Sequence, residues 1–115
     1  MEMPDTLFSP GELCSCRAIV CNRESGALDA YPLFVILDVY GNLFFAPSFD
    51  PVFDSYLAMY PEFPTGVTEV QVLPEFTWPG GAGSADNIYW YGALTDPEIS
   101  GIFGDWDVYE FGWME

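Results

Sequence analysis

The sequence predicts an α+β fold, mainly an antiparallel sheet of five or six short strands with one or two short helices. Ten Pro and 11 Gly residues punctuate the 115-residue chain, so its elements must be short. Good helix formers are scarce, with no Lys and only two Arg, whereas aromatic residues make up 18% of the chain and suit a pleated sheet. Half of the residues are hydrophobic, enough for one core, so residues 1–115 are expected to form a single domain.

Six segments have the composition of β-strands. The clearest is residues 33–40, which is nearly all apolar, as expected for a strand covered on both faces. Gly41 and Asn42 then lead into residues 43–46, which predicts a β-hairpin. The other predicted strands are residues 14–21, 67–73, 87–94 and 105–113.

Residues 50–60 predict the more regular of the two helices. Asp50 can cap its first turn, Pro51 suits the first helical position, and Pro61 ends it. Five apolar side chains between these prolines fall on one helical stripe, which is typical of a helix packed against a sheet. They are Val52, Phe53, Tyr56, Leu57 and Tyr60.

Two other segments are less regular. Residues 96–103 repeat the capping pattern with Asp96 and Pro97, but the segment is barely two turns long, so a turn or a 3₁₀ piece is the alternative to a helix. Residues 78–85 contain too many glycines for a strand and predict a flexible connector. A phosphate-binding role for this loop is disfavoured because it has no Lys and lies in a strongly negative chain.

The three cysteines, Cys14, Cys16 and Cys21, lie within eight residues. A structural zinc site needs four ligands, and the chain has neither a fourth Cys nor a His. On one extended strand Cys14 and Cys16 share a face while Cys21 points to the other. Ordinary free thiols are therefore expected, with a disulfide or metal chemistry as alternatives.

The net charge of −16 is the strongest functional signal in the sequence. Eighteen Asp and Glu residues face two basic ones, Arg17 and Arg23. Direct binding to nucleic acid or to an anionic membrane is excluded, because those partners require a basic face. Asp38, inside the apolar run, needs a partner if it is buried, and the two arginines are the only basic candidates. No secretory signal or membrane span is evident, so a soluble cytoplasmic protein is expected.

Composition also argues against an enzyme. Without His or Lys there is no catalytic triad, Schiff base or Walker-type phosphate clamp, and no cofactor is implied. Carboxylate pairs such as Asp50 with Asp54 could serve a hydrolase, but 18 acids in a short chain produce such spacings by chance. A solvated acidic face is the preferred interpretation. Calcium is an alternative at the acidic groups of residues 96–110.

The triplet Tyr89-Trp90-Tyr91 indicates that one strand carries large rings on both faces. One face must enter the core. The other is either covered by a helix or exposed as a contact patch, and Tyr and Trp are the residues that anchor protein interfaces.

These signals combine into a hypothesis of nucleic-acid mimicry. Side chains two apart on a strand are separated by about 6.6 to 6.8 Å, close to two axial steps of roughly 3.4 Å along one DNA strand. Asp105 and Asp107 have this spacing on the last predicted strand and could stand in for consecutive backbone charges, with the other acids near this strand extending the row. Such a row could occupy the basic groove of a nucleic-acid-handling protein, where it would gain association rate and specificity. The residues expected to contact this partner are Asp96, Glu98, Asp105, Asp107, Glu110, Glu115, Tyr89 and Tyr91.

In composition the chain resembles the acidic DNA-mimic inhibitors of phages and mobile elements, such as anti-restriction, anti-CRISPR and nuclease-inhibitor proteins. An immunity protein that neutralises a basic toxin fits the same physics. This resemblance is to a functional class reached on unrelated folds, and no residue role is carried over from it. The alternative function is a small domain that binds an apolar ligand, or a second copy of itself, through an aromatic sheet face, with acidity serving solubility or life in high salt.

Overall fold

Nine β-strands form the regular structure of the protein, in a computed structural model that describes residues 1–81, 83–104 and 106–115. No α-helix occurs in those residues. The strands are β1 (Leu7–Phe8), β2 (Leu13–Asn22), β3 (Leu28–Asp29), β4 (Leu33–Val39), β5 (Asn42–Phe45), β6 (Glu62–Phe63), β7 (Gly66–Thr77), β8 (Ala85–Leu94) and β9 (Asp107–Trp113).

Five strands make one mixed sheet in the order β1-β9-β8-β4-β5. β4 and β5 form the predicted hairpin, and the two residues of its turn, Tyr40 and Gly41, both have positive φ, as a type I′ turn requires. β8 runs antiparallel to β4 on one side and to β9 on the other, while β1 adds parallel to β9. The central three strands of this sheet are therefore β9, β8 and β4.

The second layer is a ribbon of two long antiparallel strands, β2 and β7. Burial alternates along β2, with Cys14, Cys16 and Ala18 buried and the residues between them more exposed. Val70 and Val72 are buried in the same way on β7. Because neighbouring side chains on a strand point to opposite faces, the ribbon turns one apolar face inward. That face and the five-stranded sheet contribute to one hydrophobic cluster.

The α+β class predicted from the sequence is wrong, because the protein is all-β. All six predicted strands are present as β2, β4, β5, β7, β8 and β9, so the error lies in the helices and in the count. The three additional strands, β1, β3 and β6, are two residues long each, too short to show any periodicity. β1 pairs with β9, whereas β3 and β6 pair only with each other in the described residues.

The helix predicted over residues 50–60 is replaced by an irregular segment with a single turn, in which Tyr60 N–H donates to Tyr56 O (2.8 Å). The apolar stripe does not pack as a unit: Tyr56 is buried, whereas Val52 and Phe53 are 70% and 60% exposed. Tyr56 N–H instead donates to Leu33 O at the start of β4 (3.0 Å). A helix this short is marginal by itself, and tertiary contacts of single residues override it.

The second predicted helix, residues 96–103, is a turn, which was the alternative interpretation. The segment closes back on itself, with Phe103 N–H donating to Leu94 O (2.7 Å) and Thr95 bridging to Ile102. Asp96 organises the turn by accepting from the backbone N–H of Ser100 (2.8 Å). Asp96 therefore acts as the capping residue of a turn instead of a helix.

The described residues contain no helix with both the length and the apolar composition that a membrane span requires.

Candidate partner-binding surface

The candidate site is the outer face of the five-stranded sheet, which we define as the face turned away from the β2–β7 ribbon. Ile88 and Trp90 of β8 have no exposed surface, because they point inward. Tyr89 and Tyr91 of the same strand are half-buried and lie on the outer face. The outer face consists of Phe34, Ile36, Asp38, Leu43, Phe45, Tyr89, Tyr91, Val108 and Glu110.

One side of the outer face is covered and the other is open. Phe53 of the irregular 50–60 segment packs over Phe34 and Phe45, with ring centroids 4.9 and 5.6 Å apart. This cover stops short of the β8 and β9 side, where Tyr89, Tyr91 and the exposed Glu110 lie. The sequence left two possibilities for this face, a covering helix or a contact patch. No helix covers it in the described part of the chain.

A row of three paired residues crosses the open side. The register places Asp38 of β4 opposite Tyr89 of β8, and Tyr89 opposite Glu110 of β9. Since adjacent strands are about 4.8 Å apart, the backbones of the two acidic residues are separated by about 10 Å, with a tyrosine between them. We call Asp38, Tyr89 and Glu110 the acidic row.

Aromatic rings continue from the acidic row. Tyr89 and Tyr91 are stacked, with centroids 6.2 Å apart and an interplanar angle of 14°. Tyr91 contacts Trp106 at 6.2 Å, and the Trp106 side chain is 58% exposed. Three neighbouring rings therefore form an exposed ladder beside two carboxylates. Such rings offer large contact area with little loss of side-chain freedom on binding.

Asp38 is held in the acidic row by neutral hydrogen-bond donors. Its carboxylate accepts from the Tyr91 hydroxyl (3.0 Å) and from the Gly41 backbone N–H (2.8 Å). The sequence required a partner for Asp38 only if the residue were buried, with Arg17 and Arg23 as the basic candidates; Asp38 is half-buried, and its two hydrogen bonds come from neutral donors. The hydrogen bond to Asp38 raises the pKa of Tyr91 above its ordinary value. The two hydrogen bonds fix the position of the Asp38 carboxylate on the outer face.

The structure brings together three of the eight residues predicted to contact a partner, namely Glu110, Tyr89 and Tyr91. Asp107 lies on the opposite face of β9 from Glu110, because the two are three residues apart on one strand. Its carboxylate forms an ion pair with the amino terminus of Met1 (2.5 Å). Asp105 lies outside the described residues. Asp107 is therefore paired within the chain.

The remaining predicted residues lie at two ends of the sheet. Asp96 and Glu98 belong to the turn that follows β8, whereas Glu115 follows β9 at the other end and accepts from Gly83 N–H (3.3 Å). Ser100 donates to Asp96 through both its hydroxyl and its backbone N–H, and these bonds lower the pKa of Asp96. The continuous row of acids expected along the last strand is replaced by an acidic row that runs across strands.

The arginine that forms ion pairs lies in the other layer, on the ribbon. Arg17 of β2 forms ion pairs with Glu2 (2.6 Å) and Glu69 (2.9 Å). Among the ion pairs within the described residues, none involves Asp38 or Glu110. The negative charge of the acidic row is consequently left uncompensated by cationic side chains, as a surface for a cationic partner requires.

The cysteines match the free-thiol interpretation. Cys14 and Cys16 are 1% exposed on the inner face of β2, Cys21 is exposed, and all three are free. Burial raises the pKa of Cys14 to about 11 and that of Cys16 to about 12, so both stay protonated at neutral pH. No group of three or more potential metal ligands converges within the described residues.

Sequence reasoning missed Asp38, Trp106, Val108 and Leu43 as members of this surface. In the sequence, Asp38 stood out only as an acid within an apolar strand. That single acidic residue was the available signal that one face of this strand contacts solvent.

No protein-family model, curated protein or solved structure matches the chain.

Proposed function

We propose that the protein is an inhibitory binding protein of the cytoplasm that blocks a basic nucleic-acid-handling enzyme or complex by presenting nucleic-acid-like charge. The observation that carries this proposal is the acidic row beside the aromatic ladder, for which the described residues provide no ion-pair partner, in a chain of net charge −16. Anti-restriction, anti-CRISPR, nuclease-inhibitor and immunity proteins are the functional types that fit. The three free thiols are consistent with a reducing compartment.

The chemistry of the outer face complements a nucleic-acid-binding groove. Such grooves combine Lys and Arg for the phosphates with aromatic or guanidinium planes for the bases. The acidic row offers carboxylates in place of phosphates, and the ladder of Tyr89, Tyr91 and Trp106 offers rings in place of bases. An Arg guanidinium can stack on a tyrosine ring while its donors bind a neighbouring carboxylate. Asp38 and Glu110 flank Tyr89 in the arrangement that this contact needs.

The mode of contact differs from the one predicted along the last strand. Asp38 and Glu110 belong to different strands, and the β8 backbone between them keeps their spacing rigid. Rigid placement lowers the entropy lost on binding. We infer that a partner contacts this surface in the direction across the strands. Its Arg or Lys side chains would lie above the Tyr89 ring and bind both carboxylates.

The direct test is inhibition of purified basic enzymes at several salt concentrations. A panel of a restriction endonuclease, an RNA-guided nuclease and a basic ribonuclease is assayed for substrate binding with increasing amounts of the protein. We expect competitive loss of nucleic-acid binding by at least one member. The affinity should fall steeply between 50 and 200 mM salt, by about tenfold or more, because the contact is electrostatic.

A matched pair of variants separates surface geometry from net charge. Asp38→Asn with Glu110→Gln removes two charges from the acidic row, and Asp29→Asn with Glu24→Gln removes two exposed charges elsewhere. The first pair should weaken binding by about tenfold or more, while the second should change it by less than about threefold. Equal losses of affinity in the two pairs of variants would show that net charge alone accounts for binding. A complex whose affinity does not change with salt would contradict the proposal.

Self-association through the same face is the alternative function. A two-fold dimer on the outer face would bring two copies of the acidic row together, and like charges across an interface cost free energy. We therefore expect the protein to sediment as a monomer at 50 mM salt. A dimer that persists at low salt would favour the alternative.

A further inference from the structure

The two carboxylates of the acidic row differ in how much of their hydrogen-bonding capacity is free. Asp38 already accepts one bond on each oxygen, from Gly41 N–H to Oδ1 (2.8 Å) and from the Tyr91 hydroxyl to Oδ2 (3.0 Å). Glu110 is exposed, and no hydrogen bond or ion pair within the described residues involves its carboxylate. Because an ionised carboxylate has about four acceptor sites, Glu110 can receive two parallel bonds from one forked donor, and Asp38 can add a further one.

The aromatic ladder places a flat surface between these two acceptors. Tyr89 is the member of the ladder that the register sets directly between the acids, and it stacks on Tyr91 with an interplanar angle of 14°. Of the Arg and Lys side chains, only the Arg guanidinium is planar, so it can stack on a ring while its fork of donors binds a carboxylate. The Lys ammonium is a compact, strongly hydrated point charge. A ring between two carboxylates therefore favours the planar cation.

Charge complementarity identifies the occupant as a cation from outside the chain. The net charge is −16, Arg17 lies on β2 and Arg23 follows it, so neither arginine belongs to the strands of the outer face. A partner side chain that binds here gains two carboxylates for which the described residues provide no ion-pair partner.

We propose that the acidic row is a site selective for arginine over lysine. One arginine of the partner stacks on Tyr89, binds Glu110 through two parallel hydrogen bonds and binds Asp38 through a third. Such bidentate pairs are among the strong hydrogen bonds of proteins. This inference rests on the proposed function, because the basic groove of a nucleic-acid-handling protein supplies the arginine, and it adds the kind of side chain on which that binding depends.

The test titrates the full-length protein with three fluorescently labelled peptides at 50 mM salt. Each peptide is Gly-X-Gly-X-Gly-X-Gly with blocked ends, where X is arginine, lysine or citrulline. The first two carry the same charge, and citrulline keeps the planar shape without charge. We expect fluorescence anisotropy to show binding of the arginine peptide at least about threefold tighter than that of the lysine peptide. The citrulline peptide should bind the most weakly of the three, because it makes no ionic contact.

Two tyrosine variants locate the selectivity. Tyr89→Leu removes the ring between the acids and keeps both carboxylates, so it should at least halve the preference for arginine. Tyr40→Leu removes a ring that is 62% exposed in the turn between β4 and β5, outside the acidic row, and should leave the preference unchanged.

Two acid variants separate the roles of the carboxylates. Glu110→Gln should weaken binding of the arginine peptide more than Asp38→Asn does, because Glu110 accepts the two parallel bonds. Circular dichroism checks that every variant folds. If Tyr89→Leu does not fold, NMR of the unaltered protein replaces it, and the Nε–H resonance of the arginine peptide should move upfield on binding because this group lies over an aromatic ring.

A preference for arginine that Tyr89→Leu reduces and Tyr40→Leu retains supports the site. Equal affinity for the arginine and lysine peptides, absence of saturable binding, a preference that Tyr89→Leu leaves unchanged, or an Nε–H resonance that does not move overturns it. Failure of this inference can be told from failure of the proposed function. Salt-dependent enzyme inhibition without arginine preference overturns only the selectivity, whereas arginine-selective peptide binding without inhibition of any enzyme overturns only the proposed function.

Discussion

The two faces of the five-stranded sheet are formed by the same strands, but one packs in the core and the other contacts solvent. On β8, Ile88 and Trp90 point inward and are fully buried, whereas Tyr89 and Tyr91 on the outer face keep part of their surface in solvent. The inner residues remove apolar surface from water, which is the main stabilising contribution to folding. The outer residues place rings beside carboxylates. Residues that stabilise the core therefore alternate along one strand with residues that form the contact surface.

Hydrogen bonding differs between the faces as well. On the inner face the indole N–H of Trp90 has no partner among the described residues, while on the outer face the Tyr91 hydroxyl donates to Asp38. The inner face therefore contains an unpaired donor that is shielded from solvent. The outer face retains charge that an external partner can use.

The largest expected difference between the faces is in stability. Trp90→Ala should lower the free energy of unfolding by about 3 to 5 kcal/mol, because it removes a fully buried ring. Tyr89→Ala, one residue away on the outer face, should cost about 1 kcal/mol. Urea titration followed by circular dichroism gives both values. Similar losses for the two variants would contradict the assignment of inner and outer faces.

Thiol reactivity should separate buried from exposed positions on the ribbon. At pH 7.5, Cys21 should react with an aromatic disulfide reagent at least about a hundredfold faster than Cys14 or Cys16, whose pKa values are raised by burial to about 11 and about 12. Cys21→Ser should remove the fast phase and leave the slow one. Labelling of three thiols at one rate in the folded protein would refute this arrangement.

Alkaline pH should weaken the core. Burial raises the pKa of Tyr56 to about 12, from an ordinary value of 10.0. The folded state thus holds the neutral hydroxyl that the unfolded chain ionises at lower pH. The stability that this group contributes is complete below pH 10 and is lost as the pH rises toward 12, by about 2 kcal/mol.

The buried thiols act in the same direction from pH 9 upward, because their pKa values are raised as well. Urea midpoints measured between pH 8 and 11 should therefore decline, and Tyr56→Phe should make the decline shallower above pH 10. A midpoint that stays constant to pH 11 would show that these groups are not buried as neutral species.

The smallest effect is expected on the outer face. Tyr91 titrates above its ordinary pKa because its hydroxyl donates to Asp38. Asp38→Asn removes the charged acceptor, so the pKa of Tyr91 should fall toward 10. NMR titration of the Tyr91 ring measures this, with Glu110→Gln as the control that leaves the hydrogen bond intact. An unchanged pKa in Asp38→Asn would mean that the hydrogen bond is absent in solution.

The positions of the strands were predictable because their signals are local. The apolar run of β4, the turn at Gly41 and the alternation in β7 all appear within short windows of sequence. The faces of the cysteines followed from alternation alone, and Cys14 and Cys16 do lie on the buried face. The helix over residues 50–60 failed because its local signals compete with the contacts of Tyr56 and Phe53 on β4 and β5.

The site was only partly predictable. Glu110, Tyr89 and Tyr91 were expected to contact a partner, but Asp38 was not, because it joins them through pairing between β4 and β8. Asp107 was grouped with Glu110, although residues three apart on one strand lie on opposite faces, and the structure pairs Asp107 with the amino terminus. The sequence shows which residues of a strand share a face, because they alternate, but it does not show which strand pairs with which.

By itself, the sequence determined the net charge, the absence of imidazole and lysine chemistry, and the segments that form long strands, because each depends on composition or on neighbouring residues. The tertiary structure alone decided that the protein is all-β and that three strands align Asp38, Tyr89 and Glu110. These properties depend on which strands pair and in which register, and that choice is made by the packing of residues distant in the chain.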